Sequence, residues 1–358
     1  MEFLADVNWI YLILAAFAGG AFGAAIGALP AFVFTGVMVI AGEAANLVAS
    51  AMAPELSSGV AAEMGSMTGS IAFGSFFGPH ISFAGGAAAA AYAAKKGYME
   101  TGFDFHEAKN ITAALGPKVD VMVVGGMFGV LGAVITTFSS GLGLPWDPIA
   151  IAVVLSALAH RVAFGYNLLG SAVGSRLDMS PFVREESRPN DAGTVPDHQK
   201  AATDRLAVEP WLPHQYKWVQ VGGLGVVVGL LGAYAAVETG SAFLAFGISA
   251  ASLLFLNLGV EKFPVTHHIT LPASTAALAV LANGDAALSG GSDVTAMFIG
   301  AIFGLICALF GEFFQRVFYA HGDTHVDPPA AAIVFGTLLV ALCYFGGIFS
   351  TAVWIPLP

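Results

Sequence analysis

Charge is the scarcest property of this sequence. Asp, Glu, Lys and Arg together make up 10% of its 358 residues, whereas soluble domains carry about 25%. Apolar residues make up 57%, and the mean hydropathy is +0.78. This balance excludes an ordinary water-soluble domain and is typical of a chain whose main solvent is the lipid bilayer.

Cysteine and basic residues are also few. The two cysteines, Cys307 and Cys343, lie in apolar runs, which excludes a disulfide framework and a cysteine-based metal site. Thirteen basic residues against 24 acidic ones give a net charge of -11, so a nucleic-acid partner is excluded. No Walker A loop, nucleophile elbow or helix-borne zinc-protease motif occurs, which leaves ATP-driven transport and familiar hydrolase chemistry without support.

Apolar runs of about 20 residues, the length that crosses a bilayer, recur along the chain. They predict an all-α integral membrane protein with about ten transmembrane helices at 9–29, 31–52, 71–94, 119–138, 148–172, 218–236, 241–260, 264–282, 294–314 and 328–354. A polar stretch separates the first five predicted helices from the last five. We therefore predict a first five-helix unit over 1–172, a linker over 173–217 and a second five-helix unit over 218–358.

The distribution of Lys and Arg predicts the orientation of the chain. All 13 lie in the loops that follow the third, fifth, seventh and ninth spans, or at the adjoining helix ends, and so fall on one side. Cytoplasmic loops carry the excess of basic residues. The sequence therefore predicts a multi-pass protein of the cell membrane with a cytoplasmic linker and both termini outside.

The two units share short motifs in the same order. Because each unit has an odd number of spans, the second copy would enter the membrane inverted relative to the first, and the pathway of such proteins lies where the copies meet. This plan is similar to that of urea transporters and several secondary transporters, a likeness that assigns no residue. The matching motifs are Gly27-Ala28 with Gly232-Ala233, His80 to Phe83 with His268 to Leu271, Phe128-Gly129 with Phe303-Gly304, and Asp147-Pro148 with Asp327-Pro328.

Prolines and histidines interrupt the third and eighth spans. Pro79, Pro264 and Pro272 predict broken helices near His80 and His268. Polar side chains at membrane depth are costly unless they face a partner or a pathway, so we predict that these residues line one: His80, Ser82, His267, His268, Thr270, Ser274, Thr275 and, in the second span, Glu43. The alternative is that the histidines are satisfied by backbone and hold the broken helices, with Glu43 hydrogen-bonded to Asn46 or a neighbouring helix.

A second polar cluster precedes the last span. His321, Asp323, His325 and Asp327 alternate along the chain, and imidazole and carboxylate are ordinary ligands of zinc, manganese or iron. The cluster predicts a divalent metal ion, the one candidate cofactor. Alternatively, Asp327 caps the last helix with Pro328 in its first turn, and the histidines are solvated.

These observations favour a transporter or channel over an enzyme. The expected partners are the bilayer and a small polar solute or ion that crosses between the two inverted repeats. A membrane-embedded metal-dependent enzyme using His321, Asp323, His325 and Asp327, or a structural or signalling subunit, are the alternatives. Glycines at intervals of four, such as Gly19, Gly23 and Gly27, predict close helix contacts within the chain or in a homo-oligomer.

Overall fold

The computed structural model describes residues 7–52, 58–188 and 205–358. Residues 189–204, the middle of the predicted linker, lie outside this part of the chain. The described residues are mainly helical and contain no strand beyond an isolated bridge between Ser187 and Leu206. The predicted all-α class is confirmed.

Twelve α-helices are described. The first half contains α1 Trp9–Ile26, α2 Ala28–Ala51, α3 Ser58–Met67, α4 Ser82–Lys95, α5 Val119–Gly141 and α6 Pro148–Phe164. The short α7 Ser180–Val183 belongs to the linker. The second half contains α8 Trp218–Thr239, α9 Leu244–Asn257, α10 His267–Leu281, α11 Asp293–Phe314 and α12 Pro328–Phe345.

Six of these helices are long and apolar enough to cross a membrane, namely α1, α2, α5, α8, α11 with the π-helical turn that continues it, and α12. Two shorter apolar helices are α6 and α9. Large apolar side chains such as Tyr11, Val219 and Phe298 are exposed on the outside of the bundle, as expected for lipid-facing surfaces. The chain therefore has the build of a multi-pass membrane protein.

The predicted third span, 71–94, is not one helix. Helix α3 passes into a π-helical turn, Thr68–Ala72, and residues 73–81 are irregular before α4 begins at Ser82. Helix α10 likewise follows a non-helical segment, 258–266, and carries Pro272 in its interior. The predicted interruption near His80 is present, whereas near His268 the chain becomes helical only at His267, and α10 then continues through Pro272.

The two halves pack by the same pairwise pattern. In the first, α1 contacts α4 and α5, and α4 contacts α5 and α6; in the second, α8 contacts α10 and α11, and α10 contacts α11 and α12. Glycines permit the closest approaches in both: a Cβ on Gly20 would lie 2.2 Å from the carbonyl oxygen of Gly125, and one on Gly229 would lie 2.6 Å from that of Gly300. The glycine ridges thus serve contacts within the chain.

Backbone contacts correct the register of one sequence match. A Cβ on Gly23 would meet the Ser82 carbonyl oxygen, and one on Gly232 would meet that of Thr270. By these contacts Gly23, rather than Gly27, occupies the position in the first half that Gly232 occupies in the second. Glycines repeat at intervals of four along α1 and its end. The sequences of α1 and α8 therefore align almost equally well when one is shifted by one helical turn.

The halves meet along α2 and α9, and again along α6 and α12. The α2–α9 contact is reciprocal: a Cβ on Gly36 would lie 2.3 Å from the Ala251 nitrogen, and one on Gly247 would lie 3.2 Å from the Ile40 nitrogen. The interval from Gly36 to Gly247 equals the interval from Ile40 to Ala251. Such reciprocity is typical of surfaces related by a two-fold axis.

The basic loops gather at one end of the bundle, which we call the basic face: residues 96–118, 165–188, 205–217, 258–266 and 315–327. Lys109 contacts Glu209, Arg205 contacts Asp323, and His214 bonds to the Phe263 carbonyl. The opposite face carries the loops at 142–147, 240–243, 282–292 and 346–358, joined for example by the bond from Leu288 to Ile348. The charge pattern predicts that the loops carrying Lys and Arg lie at one end of the bundle, and the described parts of those loops do. Which side of the membrane that end faces is a separate prediction.

Candidate functional site

A cavity of about 960 Å³ lies between the two halves. Helices from both halves line it: α2, α4 and α6 from the first half, and α9, α10 and α12 from the second. Its volume is within the range of about 300–1,000 Å³ typical of sites for drug-sized organic molecules. Most of the surface is apolar, as shown by Leu29, Phe32, Phe83, Val153, Phe246, Leu253, Leu271, Ala330 and Ile333.

The lining of the cavity extends towards both faces. At the basic face it includes the exposed residues Asp104, Glu261 and Lys262. Towards the opposite face it includes exposed Ser140, from the end of α5, together with the partly exposed Trp354. The cavity therefore follows the length of the bundle between the halves.

Aromatic rings dominate the middle of the cavity. The Phe32 ring centroid lies 5.9 Å from those of both Phe83 and Phe246, so rings from both halves meet there. The His267 ring packs between them, 4.7 Å from Phe32 and 5.8 Å from Phe246. Its Nδ1 is buried and has no hydrogen-bond partner among the described residues. His267 is thus a polar group held by aromatic packing at the cavity wall.

Two buried carboxylates face the cavity, each from a helix N-terminus. Asp147 caps α6 by accepting bonds from the Ile149 and Ala150 amides, and Asp327 caps α12 by accepting from the Ala330 amide. Pro148 and Pro328 start the two helices. The Asp147 amide bonds to Thr337, ten residues along α12 from Asp327, so the two carboxylates lie about 15 Å apart along the helix direction at a rise of 1.5 Å per residue.

Asp327 also fixes the proton position on His325. The two are joined at 2.9 Å through His325 Nε2, and a carboxylate only accepts, so Nε2 carries the proton. His325 Nδ1 is buried and has no partner in the part of the chain that the structure describes, and its ring packs against Phe83 and Tyr319. Asp327 therefore accepts from the His325 ring and from the first turn of α12, and no Lys or Arg pairs with it in the described part of the chain.

Of the predicted pathway residues, His267 lines the cavity, whereas His80 and Ser82 do not. The His80 ring lies over Gly78, and its carbonyl packs on Gly132. Ser82 and Thr35 both donate to the Phe77 carbonyl, which the helix break leaves without a helical partner. These residues stabilise the broken segment.

The other predicted residues of α10 face away from the cavity. His268 packs against Trp211 and approaches Gly311. Thr270 and Thr275 donate to carbonyls of their own helix, and Ser274 donates to the Gly232 carbonyl of α8. They contact the lining only indirectly: His268 packs on the lining residue Trp211, and the Thr275 hydroxyl accepts from the Trp354 indole.

Glu43 lies near the cavity but not in its lining. It is 4% exposed, and its two oxygens accept from Thr68, in the π-helical turn, and from Ser241, in the loop before α9. Ser241 in turn accepts from the amides of Phe243 and Leu244, so its hydroxyl hydrogen must point to Glu43. The carboxylate thus joins the two halves.

The four residues predicted to bind a metal do not converge. Asp323 pairs with Arg188 and Arg205, His321 bonds to the Arg176 carbonyl, and His325 bonds to Asp327. Within the described ranges, no group of three or more His, Cys, Asp or Glu side chains could hold a metal ion. Alternation along an extended strand would align the four side chains, but in the structure only His325 and Asp327 contact each other, while Asp323 and His321 have other partners.

A buried ionic cluster lies at the basic face, beside the cavity. Glu209 receives the Lys109 ammonium at 2.7 Å and the Arg205 guanidinium at 2.8 Å. Burial alone would raise the pKa of Glu209, but the two cations lower it to about 2. Burial lowers the pKa of Lys109, and the charge of Glu209 opposes that shift. We expect the cluster to be ionised at neutral pH because the Glu209 carboxylate receives donors from both cations.

Sequence reasoning missed the aromatic lining and the role of Asp147. Apolar side chains that face lipid and those that face a cavity look alike in a hydropathy pattern. The signal for Asp147 was present, since Asp-Pro recurs at 147–148 and 327–328.

One family model matches almost the entire chain. It is described as a family of unknown function (DUF7973) and matches residues 2–358. Neither the curated proteins nor the solved structures include a match to the chain.

Proposed function

We propose that this chain, which belongs to the family of unknown function DUF7973, is a transporter or channel that moves a small solute through the cavity between its two halves. The observation that carries the proposal is the cavity itself, which helices of both halves line and which extends towards both faces. Secondary transporters commonly place their sites between repeats, next to broken helices.

The proposal includes ten membrane passes in two inverted repeats. The shared packing pattern and the reciprocal α2–α9 contact support the repeat. The ten passes are the six long helices, the shorter α6 and α9, the composite α3–α4 span and α10 with the segment before it. Each half then crosses an odd number of times, which inverts the second.

Thiol accessibility tests the pathway. In a background with Cys307→Ala and Cys343→Ala, cysteine is placed at the cavity residue Leu271 or Ile333, or at Leu231, which lies outside the lining and is 55% exposed. We expect a hydrophilic methanethiosulfonate reagent to modify the two cavity cysteines in proteoliposomes and to reduce flux in a panel of solutes. It should leave the Leu231→Cys protein unmodified and active.

Substitutions of two histidines distinguish a residue that lines the cavity from one that stabilises the broken segment. His267→Ala should change solute flux with little loss of folded protein, because its ring faces the cavity. His80→Ala should lower thermal stability instead, because the ring packs in the broken segment. If no cavity cysteine reacts and no solute moves faster than through empty liposomes, the cavity is not a pathway.

A further inference from the structure

We infer that the cargo is an organic cation with an aromatic or similarly flat apolar body, which the cavity would bind through its rings and through Asp147 and Asp327. The inference rests on the proposed function and names the class of solute. It depends on three features: the composition of the walls, the sign of the buried charge and the spacing of the two carboxylates.

The walls suit an organic body better than a hydrated ion. Ten aromatic side chains line the cavity: Phe32, Phe73, Phe83, Phe103, Phe105, Trp211, Phe243, Phe246, Tyr319 and Trp354. An inorganic ion would need oxygen ligands to replace its hydration shell, and rings and aliphatic chains supply none. A volume of about 960 Å³ also exceeds what a single small ion requires.

The buried charge of the lining is negative. Lys109 is the only buried Lys or Arg among the described lining residues, and Glu209 pairs with it at 2.7 Å. Asp147 and Asp327, at 6% and 8% exposure, have no Lys or Arg partner in the described part of the chain. Aromatic faces add to this preference, because their quadrupoles attract cations. An organic anion would meet both carboxylates without a buried free cation to balance it, since Lys262, the other lining cation among the described residues, is exposed at the basic face.

The carboxylates offer two positions for one cationic group. They lie about 15 Å apart, one nearer each face. Protein donors leave part of each carboxylate's acceptor capacity unused, since Asp147 accepts both of its bonds through Oδ1 and Asp327 accepts one bond per oxygen. The Phe32, Phe83 and Phe246 rings from both halves meet in the middle of the cavity, so a cation would pass over aromatic faces between the two acids.

Binding to the purified full chain in lipid nanodiscs tests the inference. Calorimetric titration would compare benzyltrimethylammonium, benzamide and benzenesulfonate, which share a ring and differ in charge. We expect the ammonium to bind most tightly and the sulfonate most weakly. Asp147→Asn and Asp327→Asn should each weaken ammonium binding about tenfold, the loss of a single charge contact. Asn also caps helices well, so both variants should fold.

The matched control is Asp293→Asn, which changes an exposed Asp in the first turn of α11, away from the cavity. It should leave ammonium binding unchanged. Phe32→Leu removes a ring with little change in apolar character and should weaken the ammonium more than benzamide. If Asp327→Asn fails to fold, Asp147→Asn and Phe32→Leu carry the test.

The inference is overturned if folded wild-type protein binds no ammonium, if the sulfonate binds as tightly, or if both Asn variants bind the ammonium normally. These results are separable from the proposed function. Reactive cavity cysteines together with flux of uncharged or anionic solutes would keep the pathway and reject the cation. Ammonium binding in a protein that shows neither flux nor reactive cavity cysteines would keep the cation site and reject the pathway.

Discussion

Glu43 shows how a single carboxylate at membrane depth can have two structural partners from different halves of the chain. Its oxygens accept from Thr68 and Ser241, and because the Ser241 oxygen already accepts from two amides, its hydroxyl hydrogen is donated to Glu43. The sequence singled out Glu43 correctly as unusual, since it interrupts an apolar run. It gave no sign of Thr68 or Ser241, which lie 25 and 198 residues away.

We therefore expect Glu43→Ala to destabilise the protein by about 2–3 kcal/mol, the cost of leaving buried donors unsatisfied. Glu43→Gln, which retains one acceptor oxygen, should lose less. Thermal unfolding in detergent measures both. Glu63→Ala, at an exposed position of α3, is the control and should be neutral; equal losses for Glu43→Ala and Glu63→Ala would mean that the hydrogen bonds contribute nothing.

The Glu209 cluster predicts sensitivity to acid. The pKa of Glu209 is lowered to about 2, and that of Asp323 also lies below its usual range, chiefly through Arg205 acting against burial. Carboxylates with lowered pKa values stabilise the fold above their unfolded pKa, about 4, and lose that contribution as the pH falls towards 2. The free energy of unfolding should thus decrease between pH 5 and pH 2.

Denaturant titrations across that range measure the effect. Glu209→Gln should be destabilised at pH 7 by about 3–5 kcal/mol, because Lys109 loses its buried partner. It should also show a shallower pH dependence than the wild type. A wild-type slope that Glu209→Gln leaves unchanged would assign the acid response to other groups.

At the scale of helices, glycine determines how closely the elements pack. The backbones of α1 and α5 touch at Gly20 and Gly125, as those of α8 and α11 touch at Gly229 and Gly300. In lipid, where apolar surfaces gain little from leaving the solvent, such contact supplies much of the attraction between helices.

Gly20→Ala should destabilise the protein by about 1–3 kcal/mol, the usual cost of overpacking, because its Cβ would lie 2.2 Å from a backbone oxygen. Gly223→Ala is the control, since nothing lies within 4 Å of a Cβ at that helical position. It should be neutral or slightly stabilising. Unfolding of both variants in the same detergent makes the comparison, and similar stabilities would argue against the close contact.

Helix positions were predictable where apolar runs are long, as for α1, α2, α5, α8, α11 and α12. The site was less predictable because adjacent residues of a helix point about 100° apart. His267 reaches the cavity and His268 packs on Trp211, although both are histidines in one predicted span. Which of them faces the cavity is decided by the α2, α9 and linker residues around them, and no local pattern encodes that arrangement.

For the whole molecule, the sidedness of the basic face remains a prediction. In a cysteine-free background, Glu100→Cys lies in the exposed loop after α4, and Asp285→Cys lies in the exposed loop after α10. An impermeant maleimide applied to intact cells should label Asp285→Cys directly and Glu100→Cys only after permeabilisation, because cytoplasmic loops hold the basic residues. The reverse labelling would mean that the basic face lies outside the cell. Labelling of both cysteines from outside would refute the predicted topology.

The halves differ at the approach to α4 and α10, since α3 and its π-helical turn have no helical counterpart before α10 among the described residues. The segment before α4 follows α3 and its π-helical turn, and Glu43 links that turn to Ser241 of the other half. The segment before α10 is the loop 258–266, which hydrogen bonds from Gln215 to Val265 and from His214 to Phe263 hold in place. A loop rearranges at lower cost than a packed helix. The two breaks are therefore held unequally, and local unfolding should open residues 258–266 at lower cost than the segment behind α3.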